Sequence, residues 1–167
     1  ANRAWVVGSS GNILRTTDGG STWSAQSSGV TKDLRSGHCV SATKCWAVGD
    51  DGRVLRTTDG GANWNAQTVH ASPEEDFNSI HFVSEDKGWA VGNNGAAFKT
   101  TDGGATWSVS PTGVSVDLHG VMFIGNPEGG AVGANGTVLS SDDAGGSWSQ
   151  QNGTISSDTT WAVADSP

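Results

Sequence analysis

A nine-residue segment recurs along the chain and constrains the fold more than any other feature. It reads RTTDGGSTW at residues 15–23, RTTDGGANW at 56–64, KTTDGGATW at 99–107 and, in altered form, SSDDAGGSW at 140–148. Repetition at a fixed period is typical of solenoids and propellers, which copy one structural unit. The chain of 167 residues is long enough to bury a core as a single domain, residues 1–167.

Each repeat unit predicts four short antiparallel strands. The second strand reads CWAVGD or GWAVGN, in which large and small residues alternate, and a dipeptide that ends in glycine follows it. Asp51-Gly52, Asn94-Gly95 and Asn135-Gly136 favour type I′ hairpin turns at this point. Four strands in roughly 42 residues match a β-propeller blade. The predicted fold class is therefore all-β, a small propeller of four blades with four antiparallel strands each.

The two chain ends predict how this propeller closes. The first unit starts at its second strand, whereas residues 158–167 start with the aspartate that opens the other units. We assign residues 1–26 to blade 1 with 158–167 as its closing strand, and 33–67, 76–110 and 117–151 to blades 2 to 4. Strand exchange between the termini would remove free sheet edges. An eight-bladed ring of two chains and a fragment of a larger propeller are the alternatives.

The recurring segment resembles the Asp-box, or bacterial neuraminidase repeat, which occurs in several propeller families. Its aspartate, glycine and tryptophan positions are Asp18, Gly20, Trp23, Asp59, Gly61, Trp64, Asp102, Gly104, Trp107, Asp143, Gly145 and Trp148. An aspartate before a glycine-rich turn accepts hydrogen bonds from that turn, and glycine permits positive φ. We therefore expect a structural box. The resemblance implies that it lies at the blade periphery, away from any ligand.

A longer pattern, WAVG-x-x-G-x-h-x-x-T-x-D-G-G-x-x-W with h apolar, extends over nearly the whole chain. It is similar to the propellers of the photosystem II stability and assembly factor family and of similar secreted bacterial proteins. This resemblance implies a scaffold that docks a protein partner.

The two cysteines, Cys39 and Cys45, are separated by VSATK. This spacing excludes a four-ligand zinc site and suits a disulfide across a hairpin, with half-buried thiols as the alternative. A disulfide implies an extracellular, periplasmic or organelle-lumen location. Asn135 and Asn152 begin Asn-x-Thr triplets and are candidate glycosylation sites. A first residue other than Met, with no signal-peptide segment, is expected of a processed or trimmed chain.

Charge and composition exclude several classes of function. The formal net charge of −8 and the scattered basic residues argue against a nucleic-acid partner or an anionic membrane surface. No apolar run approaches membrane-spanning length. The chain is expected to be a monomer or a self-associating ring.

The sequence also argues against an enzyme. Sialidases with Asp-boxes use a tyrosine nucleophile and three arginines, but this chain has no Tyr and its five arginines lie in only two repeats. Other Asp-box glycosidases use paired acids. Glu74 and Glu75 form an adjacent acidic pair outside the repeat pattern, and we expect them to be solvated loop charges. No catalytic residue and no certain cofactor are predicted.

The aspartates that open the innermost strands form the candidate metal site. Asp33, Asp76, Asp117 and Asp158 recur in register, so four-fold geometry predicts a ring of carboxylates at one mouth of the channel. Such a ring suits Ca²⁺, and the alternative is that each aspartate caps its own loop by bonding local amides.

Two further sets of residues in register are predicted to pack in the interior. His38 and His81 correspond to Met122 and Val163, a pattern that favours packing over a histidine metal site. Gly130 stands where the other units have Trp5, Trp46 and Trp89. We expect Trp161 to fill the vacated volume, with an exposed platform for a sugar ring as the alternative.

The repeat architecture leads to three hypotheses for function. Similar clefts between similar blades favour a lectin-like binding module for multivalent glycans, which is the leading hypothesis. A protein-docking scaffold of the assembly-factor type is the second. A glycosidase-related protein is the third.

Overall fold

Antiparallel strands account for nearly all regular structure in the computed structural model, which describes residues 2–67, 69, 75–125 and 127–151. The first sheet contains β1 (Ala4–Val7), β2 (Ile13–Thr16) and β3 (Ser24–Gln26). The second contains β4 (Leu34–Cys39), β5 (Cys45–Gly49), β6 (Val54–Thr57) and β7 (Asn65–Gln67). The third contains β8 (Phe77–Phe82), β9 (Gly88–Gly92), β10 (Ala97–Thr100) and β11 (Ser108–Val109). The fourth contains β12 (Leu118–Phe123), β13 (Gly129–Gly133), β14 (Val138–Ser141) and β15 (Ser149–Gln150).

These sheets are blades 1 to 4, and within each the strands pair in chain order. Blade 1 has three strands among the described residues, and blades 2 to 4 have four each. The predicted closing strand, residues 158–167, lies outside the described residues, so closure of the ring stays a prediction. In the part of the chain that is described, no helix has the length and apolar character needed to cross a membrane.

A tight hairpin turn joins the second and third strands of each four-stranded blade. In the full blades this turn joins β5 to β6, β9 to β10 and β13 to β14, and it carries Asp51, Asn94 or Asn135 before a glycine. These three residues have φ of 57°, 56° and 58°, and the glycines after them have φ between 62° and 74°. Positive φ at both central residues defines the predicted type I′ turn, which is therefore confirmed.

The blades pack through their innermost strands. Strand β4 contacts β8, and β8 contacts β12. Hydroxyl groups link them, since the Ile80 amide donates to Ser36 Oγ at 3.4 Å and the Val121 amide donates to Ser79 Oγ at 3.3 Å. The second strands, β5 and β9, are buried along their whole length because neighbouring blades cover both faces.

A tryptophan joins blade 2 to blade 3. The Trp46 ring stacks on Phe82 with centroids 3.6 Å apart and planes at 10°. Its indole N–H donates to the Gly103 carbonyl oxygen at 2.9 Å. One side chain therefore contributes both apolar burial and a directed hydrogen bond across the junction, as amphipathic aromatic residues often do.

The junction between blades 3 and 4 has the same construction. Trp89 stacks on Phe123 at 3.7 Å, and its indole N–H donates to the Ala144 carbonyl oxygen at 3.0 Å. The Phe123 ring lies flat over Gly129, where an added Cβ would come within 2.3 Å of the ring. Glycine at that position therefore makes the stack possible.

One face of the blade 1 sheet is exposed among the described residues, whereas the corresponding face of blade 2 is buried. Val6 is 51% exposed and Leu14 is 38% exposed, whereas Leu55, which corresponds to Leu14 in blade 2, is fully buried. Trp23 is 42% exposed, and its counterpart Trp64 is 9% exposed. The described residues thus leave one apolar face uncovered.

Replacing the stacked ring in blade 4 tests the junction energetics. We expect Phe123→Ala to lower the free energy of unfolding by about 3–5 kcal/mol, because it removes a fully packed ring and leaves a cavity. Urea unfolding followed by tryptophan fluorescence measures this loss.

The neighbouring variant Ile124→Ala is the matched control. Ile124 is 61% exposed, whereas Phe123 is 2% exposed. Its truncation should change the free energy of unfolding by no more than about 0.5 kcal/mol. Equal losses in the two variants would contradict the assigned role of the stack.

Candidate functional site

The Asp-box turn is held by hydrogen bonds to its own aspartate. In the first box Asp18 accepts bonds from the Thr22 amide at 2.9 Å and the Thr22 hydroxyl at 2.6 Å. The Thr16 hydroxyl donates to Asp18 at 2.7 Å and accepts a bond from the Gly20 amide at 2.9 Å. These donors stabilise the ionised form and lower the pKa of Asp18 to about 2.

The other three boxes have the same geometry. Their aspartates, Asp59, Asp102 and Asp143, accept a backbone amide bond at 2.8–2.9 Å from the residue four positions on. A side chain of that same residue donates a second bond, and the pKa of each aspartate is lowered to about 2. The box therefore fixes a turn and leaves its carboxylates ionised at neutral pH.

The glycines and tryptophans of the boxes complete this structural role. Gly20, Gly61, Gly104 and Gly145 have φ between 71° and 96°, a region that favours glycine. Trp107 packs edge-on against Phe82 at 6.0 Å, and Trp148 packs edge-on against Phe123 at 5.7 Å. The box tryptophans of blades 3 and 4 thus contact the same phenylalanines that receive Trp46 and Trp89.

The predicted aspartate ring makes contacts between blades. Asp33 accepts a bond from the Ser10 amide at 2.8 Å, Asp76 from the Asp51 amide at 3.1 Å, and Asp117 from the Asn94 amide at 3.0 Å. In each case the donor belongs to the hairpin turn of the preceding blade. The described carboxylates therefore pair with amides, but across blades rather than within their own loops.

A calcium ion at these carboxylates finds no support in the described structure. No group of three or more His, Cys, Asp or Glu side chains is placed to hold a metal ion within residues 2–67, 69, 75–125 and 127–151. Asp158 lies outside those residues, so the complete ring of four stays a prediction.

A polar network occupies the inner edge beside two of these aspartates. The Arg35 guanidinium contacts Asp50 at 2.7 Å, Asp76 at 2.8 Å and the Asn78 side-chain oxygen at 2.6 Å. The side-chain Nδ2 of Asn78 donates in turn to the Leu118 carbonyl oxygen at 2.9 Å. The network links the inner edges of blades 2, 3 and 4 and places one guanidinium between two carboxylates.

The two histidines in register pack against each other. The rings of His38 and His81 lie 4.7 Å apart in an edge-on arrangement, and His81 Nδ1 accepts a bond from the Phe123 amide at 3.3 Å. Burial, with a smaller contribution from His81, lowers the pKa of His38 to about 4. His38 is therefore neutral at physiological pH, as expected of a packed residue.

Gly130 leaves a cavity on blade 4 at the position of the missing tryptophan. The cavity of about 380 Å³ is lined by Met122, Gly130, Ser140 and Ser147, among others. Trp161 and Val163 lie outside the described residues, so the expectation that Trp161 fills this volume stays a prediction.

Cys39 and Cys45 form a disulfide between β4 and β5, where they are directly opposite in the strand register. The same two positions hold Phe82 with Gly88 in blade 3 and Phe123 with Gly129 in blade 4. The sequence predicts the bond from its spacing, but it does not show that the bond replaces a ring at a blade junction.

The structure describes one residue of each remaining candidate pair, the adjacent glutamates and the two glycosylation sites. Glu75 lines a groove with Asn94 and Phe98, whereas Glu74 lies outside the described residues. Asn135 occupies the hairpin turn of blade 4 with φ of 58°, and Asn152 lies outside the described residues. Glycosylation at either asparagine stays a prediction.

Antiparallel blades that each carry an Asp-box turn define a β-propeller of the bacterial neuraminidase repeat type. The family model described as photosynthesis system II assembly factor YCF48 matches residues 1–71, 38–111 and 67–154. The chain therefore belongs to that family, and the resemblance found in the sequence is confirmed. Among curated protein sequences, the comparison finds no match.

Solved structures support the same fold. YCF48 bound to D1 peptide superposes with a TM-score of 0.74 at 23% identity, covering 92% of this chain and 51% of that one. YCF48 from Cyanidioschyzon merolae gives 0.65 at 24% identity, with 93% and 53% covered. A GH74 enzyme from Niastella koreensis gives 0.72 at 16% identity, with 89% and 27% covered. The all-β propeller fold is thus confirmed, and the chain spans about half the length of the YCF48 structures it matches.

Low pH should lower the contribution of the Asp-box turns to stability. Because the pKa of Asp143 is about 2 in the folded chain and near 3.8 ordinarily, the box is stabilising above about pH 4 and loses that contribution as pH falls towards 2. We expect Asp143→Asn to lower the urea midpoint at pH 6 and to reduce the further loss between pH 6 and pH 2.5.

The exposed neighbour Asp142 provides the control for this experiment. Asp142→Asn makes the same change of charge one residue away and should keep the pH dependence of the natural chain. Parallel urea titrations of both variants at the two pH values make the comparison. An identical pH dependence in the two variants would show that Asp143 does not stabilise the turn.

Proposed function

We propose that this chain is a non-enzymatic docking module that binds an extended segment of a protein partner. The observation that carries the proposal is its membership of the YCF48 family, for which a structure is described as bound to a D1 peptide. The chain spans about half of that structure, so the proposal concerns the surface that these four blades provide.

The surface of the described blades suits a peptide ligand. Large apolar side chains are exposed on it, among them Val6, Trp23, Val109 and Ile124. Grooves run between and beside the blades, with apolar and polar side chains in their walls. Extended segments bind such grooves through main-chain hydrogen bonds and side-chain pockets.

The low pKa of the box aspartates argues against their acting as general acids. Proton transfer to a leaving group requires a carboxyl group that is protonated near neutral pH. The box aspartates, Asp18, Asp59, Asp102 and Asp143, have pKa values of about 2 and do not meet this requirement. Likeness to GH74 enzymes at 16–17% identity concerns the fold alone.

Glycan binding, the leading hypothesis from the sequence, has no support in the comparisons. The family match and the D1 peptide favour the docking alternative instead. Repeated clefts suit multivalent ligands of either kind, so architecture alone does not separate the two.

We also propose an oxidising location for the chain. The disulfide between Cys39 and Cys45 supports it, because such bonds persist outside reducing compartments. Thiol labelling of the protein isolated under acid quench should leave both cysteines unmodified until a reductant is added. Labelling of both before reduction would contradict this location.

Selection from a random linear peptide library displayed on phage tests docking directly. We expect enriched peptides that share a motif and bind saturably in fluorescence polarisation, whereas scrambled versions of the same peptides do not. A selection without any saturable binder would contradict the proposal. Saturable binding on a glycan array, in that case, would favour the lectin hypothesis.

A further inference from the structure

We infer that the junction between blades 2 and 3 binds one ordered water molecule, which accepts the indole N–H of Trp107 and donates to the carbonyl oxygen of Gly104. Two observations carry it: a buried donor without a partner, and the side-chain oxygens that lie at the corresponding place in the other two junctions. The water site is independent of the proposed docking function, since it lies inside the protein.

Trp107 has a buried hydrogen-bond donor without a partner. Its side chain is 8% exposed, and no atom of the described residues accepts a bond from its indole nitrogen. The box tryptophans of blades 2 and 4 both have an acceptor. Trp64 donates to Gln26 Oε1 at 3.3 Å, and Trp148 donates to Ser110 Oγ at 2.8 Å. A buried N–H without an acceptor is rare, because folding removes its bonds to solvent without replacing them.

The missing acceptor corresponds to one position in the repeat. Gln26 and Ser110 are each the third residue after a box tryptophan, and each bonds the box tryptophan of the next blade. In blade 2 this position is Gln67. Its side-chain Nε2 donates to the Asn65 carbonyl oxygen of its own strand at 3.2 Å. Gln67 therefore does not provide the acceptor that Trp107 requires.

The oxygens of Gln26 and Ser110 lie at the same place, beside the box glycine of the next blade. A Cβ added to Gly61 would come within 2.0 Å of Gln26 Oε1. A Cβ added to Gly145 would come within 3.0 Å of Ser110 Oγ. Two junctions of the same protein thus show that this place holds an oxygen atom.

The corresponding glycine of blade 3 is Gly104, and its surroundings differ. The atoms nearest to a Cβ added there are the indole nitrogens of Trp46, at 3.2 Å, and Trp107, at 3.4 Å. The Trp46 N–H already donates to the Gly103 carbonyl oxygen at 2.9 Å. Trp107 therefore has the one indole N–H beside Gly104 that still requires an acceptor.

Ser110 shows which bonds an oxygen makes at this place. Its Oγ accepts the Trp148 indole N–H and donates to the Gly145 carbonyl oxygen. The corresponding groups in blade 3 are the Trp107 N–H and the Gly104 carbonyl oxygen. Buried water molecules typically make two to four hydrogen bonds to polar groups that have no other partner. One water molecule can therefore replace the serine hydroxyl with both of its bonds.

A high-resolution crystal structure of the chain tests the site directly. We expect an oxygen peak about 2.7–3.2 Å from both Trp107 Nε1 and the Gly104 carbonyl oxygen. Gln67 Oε1 at this place, turned inward as that of Gln26 is, would overturn the inference. The absence of any oxygen atom within hydrogen-bond distance of Trp107 Nε1 would also overturn it.

The variants Gln67→Ala and Gln26→Ala form a matched pair for a test in solution. Gln26→Ala removes the acceptor of Trp64, so it should shift the indole signal of Trp64 in the ¹⁵N spectrum. Gln67→Ala should shift the indole signal of Trp107 at least threefold less, because the acceptor is water and not Gln67. Shifts of equal size would show that Gln67 is the acceptor. Circular dichroism checks that both variants fold.

The variant Gln67→Ser copies the sequence of blade 3 at this position and tests the match with Ser110. If the new hydroxyl turns inward, it should take the place of the oxygen peak, because both make the same two bonds. If it turns outward, the peak should remain between Trp107 and Gly104. An inward hydroxyl together with an unchanged peak would place that peak at another site and overturn the assignment.

Discussion

The structure depends on the contacts that Trp46 and Trp89 make across the junctions between blades 2 and 3 and between blades 3 and 4. Trp46 stacks on a phenylalanine of the next blade and donates its indole N–H to the Asp-box of that blade, at the Gly103 carbonyl oxygen. The stacked face of the tryptophan requires a phenylalanine ring that lies over a glycine. Its indole N–H requires a carbonyl oxygen at a fixed position in the next blade. A shift of one blade against the next would break both contacts at once, because dispersion and hydrogen bonding decline steeply with distance.

The Asp-box provides the carbonyl oxygen that the indole N–H requires. Its aspartate and first threonine or serine fix the turn locally, so the carbonyl oxygen that receives the indole is already oriented when blades meet. Asp102 fixes the box of blade 3 through Thr106 and Thr100, and Gly103 lies within this turn. In blades 3 and 4 the box thus provides a rigid acceptor for the tryptophan of the preceding blade. At the junction between blades 1 and 2, the Cys39–Cys45 disulfide stands where blades 3 and 4 have a phenylalanine over a glycine.

Local features of this architecture could be predicted from the sequence, whereas contacts between blades could not. The strand period, the type I′ turns and the cysteine pair depend on residues within a few positions of one another. The partner of Trp46 lies 57 residues away at Gly103, and Asp76 accepts from Asp51 of the previous blade. Such contacts form when whole blades pack together. The spacing of residues within a repeat does not determine how the blades pack. The leading hypothesis of glycan binding assumed that the clefts between blades are similar. The blade junctions differ, however, in the residues that occupy corresponding positions.

Hydrogen exchange of the indole N–H groups measures this difference between junctions most directly. The N–H of Trp46 is buried and bonded to the backbone of the next blade, whereas Trp5 lines a cavity and its partly buried N–H is bonded to the Gln26 side chain of its own blade. We predict that the Trp46 indole exchanges much more slowly than the Trp5 indole under native conditions, with Trp89 close to Trp46. Equal protection of Trp5 and Trp46 would contradict the account, because it would mean that all three junctions are closed alike.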